Sequence, residues 1–73
     1  MNWDELRARL HAVPSMAGDA NKGARVAWMA QALGFTERPA NLWLAFERAS
    51  AEQRAHVDDL LCALERAELG LLA

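Results

Sequence analysis

His56, Asp59 and Cys62 stand three residues apart along the sequence, a spacing that brings them near one face of a helix. Imidazole, carboxylate and thiolate all bind metals, so a metal site is the first chemistry to weigh. A structural zinc site needs about four ligands at recognised spacings. This chain has one cysteine, two histidines and no C-x-x-C pair, and His11 lies far away in sequence. The three residues are therefore expected to form a solvated helix edge with Cys62 near the core, and no metal or other cofactor is expected. Nucleophilic catalysis would need Cys62 or a serine beside a histidine in a cleft. Ser15 and Ser50 sit instead at turn-like and cap-like positions, and short helices leave little room for a deep pocket. Gly18, Gly23 and Gly34 do not fall in the G-x-x-x-x-G-K-[ST] order of a phosphate-binding loop. The chain reads as a non-enzyme.

The charged residues are more informative. The net charge is −2, which argues mildly against a dedicated nucleic-acid binder, but the charge is unevenly spread. Residues 21–48 carry Lys22, Arg25, Arg38 and Arg48 against Glu37 and Glu47, a balance of +2. Residues 49–73 carry Arg54 and Arg66 against Glu52, Asp58, Asp59, Glu65 and Glu68, a balance of −3. A slightly basic middle thus precedes an acidic end.

Hydrophobic periodicity supplies the elements that must position these groups. Asn2-Trp3-Asp4-Glu5 has the spacing of an N-terminal capping box, and Trp3, Leu6, Leu10 and Val13 follow on one helical face until Pro14. The stretch PSMAGDANKG reads as a loop. A second helix, starting at Asp19 or after Gly23, presents Val26, Met29, Ala30 and Leu33, with Gly34 placed for a left-handed C-terminal cap. Thr36 is expected to cap a third helix with Pro39 in its first turn and with Leu42, Trp43, Phe46 and Ala49 inward. Ser50-Ala51-Glu52-Gln53 is a capping box for a fourth helix, whose apolar positions are Val57, Leu60, Leu61 and Leu64 and whose end is Gly70. No segment alternates with period two. The expected fold is all-α: a single domain, residues 1–73, forming a compact bundle of four short helices with a helix-turn-helix-like corner.

That corner carries a resemblance. The stretch MAQALGFTERPANLWL, Met29 to Leu44, resembles the Cro/repressor-type helix-turn-helix family at Ala30, Leu33, Gly34, Phe35, Thr36, Ala40 and Trp43. A small Ala30 would let two helices cross closely, Gly34 would make the turn, and Phe35, Ala40 and Trp43 would fill the angle between helices. The tail ASAEQRAHVDDLLCAL is similar to the helix that follows such motifs in small phage-type repressors. The resemblance covers roughly half of the chain and implies a transcription regulator that binds double-stranded DNA, as a homodimer. Bases would be read from the start of the second helix of the corner, where Glu37, Arg38, Pro39, Asn41 and Leu42 stand. Arg38 would pair with guanine and Asn41 with adenine, while Lys22, Arg25 and Arg48 would hold phosphates.

A second reading belongs to another class. Three tryptophans are many for 73 residues, and tryptophan is enriched in interface hot spots. Trp3 and Trp43 fall on expected core faces, whereas Trp28 lies off the apolar stripe of its helix. With Asp58, Asp59 and Glu65 on the acidic last helix, Trp28 would make a protein-binding face, as in a phage-type regulator or inhibitor of host machinery that occupies a basic groove. Leu69, Leu71 and Leu72 form an apolar tail that would cap the core or dock on a second subunit. A bacterial or phage origin is expected from the Ala/Leu/Arg-rich composition. The single cysteine excludes an internal disulfide and fits a reducing, cytoplasmic setting. No apolar run approaches the ~18 residues of a membrane span, and MNWDELRARLHAV lacks the apolar stretch of a secretory signal.

Overall fold

In the computed structural model, residues 1–70 are described, so Leu71 and Leu72 of the expected apolar tail lie outside the described residues. The described chain is all-α: α1 (Trp3–His11), a single 3-10 turn (Asp19–Asn21), α2 (Lys22–Ala32), α3 (Leu42–Arg48) and α4 (Ala51–Leu69). Each helix ends where local chemistry satisfies its free backbone groups. The Asn2 side chain caps α1 by accepting from the Glu5 N–H at 2.7 Å. Gly34, at φ +86°, ends α2 in a Schellman arrangement: the Phe35 N–H reaches the Ala30 carbonyl and the Gly34 N–H reaches that of Gln31, both at 3.0 Å. Ser50 and Gln53 cap α4 reciprocally, and left-handed Gly70 ends it.

The third helix differs from expectation. It starts at Leu42, not after Thr36, and its N-cap is Asn41, whose side chain accepts from the Leu44 N–H at 3.0 Å. Pro39 therefore precedes the helix. The reason is local: Pro39 disfavours helical backbone at Arg38, whereas Asn41 is a strong cap with a clean apolar run behind it. At about 3.6 residues per turn, Leu42, Phe46 and Ala49 share one face and Trp43 lies to its side. Leu42, Phe46 and Ala49 turn inward, and Trp43, expected in the core, is 50% exposed. Phe35 and Ala40, expected to fill an interhelical angle, are exposed as well.

One core joins all four helices. Leu6 and Leu10 of α1, Met29 and Ala32 of α2 with the following Leu33, Phe46 of α3, and Val57 and Leu61 of α4 are buried together. Phe46 is the hub, with the Trp3 ring tilted against it at a centroid distance of 5.8 Å and the Arg54 guanidinium 5.3 Å above its face. Burying a side chain of this type contributes about 1.5–3 kcal/mol. Leu60, expected inward, is exposed, because Val57, Leu61 and Leu64 define the inward row of α4.

A polar clamp ties α1 to α4. Asp58, Cys62 and Glu65 recur at i, i+4 and i+7 along one flank of α4, and Arg9 of α1 lies against that row. Its Nη1 donates to Asp58 Oδ1 at 2.8 Å, and its Nη2 and Nε donate to the two Glu65 oxygens at 2.6 and 3.2 Å. Nη2 also reaches Cys62 Sγ at 3.4 Å. The Glu65 hydrogen bonds first, then that to Asp58, hold the Arg9 pKa above its ordinary value against the opposing effect of burial. Further along, Ser15 donates its backbone N–H to Glu68 at 2.8 Å and its hydroxyl to the other Glu68 oxygen.

Candidate nucleic-acid interface

A groove of about 330 Å³ opens between α1, the start of α2 and the connection that leads into α3. Three elements supply its walls. From α1 come Trp3, Arg7, Leu10 and His11, a helical row one flank away from the buried Leu6. From α2 come Lys22, Arg25, Val26 and Met29, again at helical spacing. The stretch Arg38–Trp43 closes the third side. Apolar and aromatic groups form the body of the groove, Arg7, Lys22, Arg25 and Arg38 supply its charged groups, and His11 adds a polar ring. Among the described residues no aspartate or glutamate lines it.

Arg25 sets the electrostatics. It was expected to face phosphate from the surface, but it is only 8% exposed, and its Nη1 donates to the carbonyls of Met16 at 2.6 Å and Gly18 at 2.5 Å. These bonds hold the 12–18 loop against α2. Arg25 thus organises the loop and does not reach outward. Among the described residues its guanidinium has no carboxylate partner. A buried cation answered only by neutral carbonyls keeps a positive potential in its surroundings. Lys22 at the N-terminal, positive end of α2 adds to that potential.

Of the five residues expected at a DNA surface, Lys22, Arg25, Arg38 and Asn41 all line this groove. Asn41, however, has its side-chain oxygen engaged by the Leu44 N–H, which pins the amide to the start of α3 and leaves one lone pair for any other donor. Arg48 is exposed at the end of α3 and lines a neighbouring depression of about 440 Å³ with Phe35, Leu44 and Gln53. Ala40 and Asn41 line both hollows and so form the ridge between them. Arg7, His11 and exposed Trp43 were not expected at a binding surface from the sequence. A signal for the first two exists there: Trp3, Arg7, Leu10 and His11 lie at i, i+4, i+7 and i+8.

The residues expected at a protein-binding face are dispersed. Asp58 and Glu65 hold Arg9 of the same chain. Asp59 is exposed. Trp28, expected to be exposed, is half-buried against the core, beside Leu60 and Leu64 in a shallow hollow between α2 and α4. His56 is exposed, while Cys62 is half-buried and turned to α1, so the three-residue spacing does not gather a ligand set. Among the described residues no group of His, Cys, Asp or Glu side chains is arranged to hold a metal ion, and no helix is long and apolar enough to cross a membrane. No protein-family model, curated protein or solved structure matches this chain.

Proposed function

We propose that this protein is a small non-enzymatic regulator that binds nucleic acid, with the groove between α1, α2 and the α2–α3 connection as its docking surface. One observation carries the reading: basic side chains from three separate elements converge on an aromatic-lined hollow that, among the described residues, contains no carboxylate. Phosphates would meet Arg7, Lys22 and Arg38 at the rim, and the uncompensated charge of Arg25 would draw them in.

The test is fluorescence anisotropy of labelled nucleic acid, duplex and single-stranded, at two salt concentrations. Binding should be saturable at low salt and weaken on adding salt, because each neutralised phosphate releases counterions. The Lys22→Ala/Arg38→Ala double variant removes two cations from the groove and leaves the core untouched. It should bind more weakly, with the slope of log K against log salt reduced by about 0.7–0.9 for each phosphate that is no longer neutralised. No binding to either form at low salt would sink the proposal.

A further inference from the structure

The groove and its neighbour share the Ala40–Asn41 ridge, and each has a large exposed aromatic: Trp43, 50% exposed, on one side and Phe35, 42% exposed, on the other. Each also has an exposed arginine, Arg38 in the first hollow and Arg48 in the second. Among the described residues neither hollow is lined by a carboxylate. From this arrangement we infer that the ligand is a single-stranded polynucleotide that crosses the ridge, with bases stacked on Trp43 and Phe35 and phosphates on Arg38 and Arg48. The inference rests on the nucleic-acid reading above and specifies which form of nucleic acid is taken.

Two features select a single strand over a duplex. An aromatic side chain gains from a base only through the base's flat face, which a duplex hides within its own stack and a single strand exposes. The start of α3 is also ill-suited to a major groove. Its first turn is Leu42, Trp43, Leu44 and Ala45, among which only the Trp43 indole N–H could hydrogen-bond a base edge. Asn41, the nearest candidate reader, is the helix cap. The combination of π-faces with interleaved positive charge matches sequence-tolerant single-strand binding, in which stacking supplies affinity and the charged track follows the backbone.

The experiment is a comparison of four labelled probes on the intact protein at low salt: an oligothymidine, an oligouridine of the same length, a duplex of the same length, and a poly-glutamate peptide. The single strands should bind at least about tenfold more tightly than the duplex, and Trp43→Ala should weaken that binding by roughly tenfold, the effect of removing one stacked base. Phe35→Ala, on the far side of the ridge, should act in the same direction, and Trp43→Phe should restore most of the affinity because it keeps a π-face. Far-UV circular dichroism confirms that each variant remains helical. Oligothymidine and oligouridine separate DNA from RNA as the source of the strand, and preference for either supports the inference. Duplex binding as tight as single-strand binding, unchanged in Trp43→Ala, overturns this inference and leaves the nucleic-acid reading standing. Binding of poly-glutamate alone, or of no probe, overturns both.

Discussion

At the scale of single residues, Arg9 shows how a surface-looking charge becomes structural. It belongs to an ordinary amphipathic helix, yet its guanidinium joins Asp58 and both oxygens of Glu65 across two helices. The pairing is partly screened by water: the Arg9 side chain is 27% exposed and that of Asp58 46%. Loss of the clamp is therefore worth less than a buried ion pair and more than an exposed one. Arg9→Ala should lower the unfolding free energy by about 1–2 kcal/mol in urea denaturation. Arg9→Lys should recover little of this, because an ammonium cannot make the two parallel bonds to Glu65. A fully stable Arg9→Ala variant would show the clamp to be energetically idle.

At the scale of elements, the ends of α2 and α3 set the shape of the groove. Gly34 has a left-handed backbone with open space around a hypothetical Cβ, so replacing it strains the backbone without a clash. Gly34→Ala should cost about 1–2 kcal/mol, read as a lowered thermal midpoint. Asn41 separates two roles cleanly. Asn41→Ala should destabilise by about 1 kcal/mol through loss of the cap, whereas Asn41→Asp should keep the stability, since aspartate caps equally well. If Asn41 instead read adenine, Asn41→Asp would abolish sequence preference in binding assays while the fold stayed intact.

The start of α1, the end of α2 and the start of α4 were legible in the sequence because their capping signals stand alone: Asn2 before an apolar row, Gly34 after one, and the Ser50–Gln53 box; α1, expected to run to Pro14, stops at His11. The start of α3 was not, because two cap residues compete within six positions. Thr36 suits a helix start in isolation, but the proline three residues later penalises it, and Asn41 prevails. That shift of the helix start leaves Arg38 and Pro39 in the connection that walls the groove.

At the scale of the whole molecule, the small core makes the fold depend on its centre. Domains of this size draw only about 3–5 kcal/mol from a single core. Phe46 is 1% exposed and belongs to the cluster shared by all four helices. Phe46→Ala, at about 3–5 kcal/mol, should therefore unfold the entire chain and not one helix, seen as loss of helical circular dichroism at 25 °C. Phe46→Leu should leave a folded, weakened protein. Charge is also organised at this scale. The acidic groups of α4 turn partly inward to Arg9 and Ser15, while basic groups from α1, α2 and the α2–α3 connection converge on the groove. A chain with net charge −2 thus presents a local surface of opposite sign.

The sequence by itself determined the all-α class, three of the four helix starts to within a few residues, and most of the core, because periodicity and capping act over a few neighbouring positions. It also located the basic middle of the chain, from which Lys22, Arg25 and Arg38 come. Only the tertiary structure decided which charges meet which. Arg9 joins α4 across 49 to 56 residues of sequence, Arg25 turns inward to a loop, and Arg7 and His11 of α1 join the groove from outside the basic segment. Those pairings depend on how helices pack against one another, and side-chain spacing within one helix carries no information about the partner on the next.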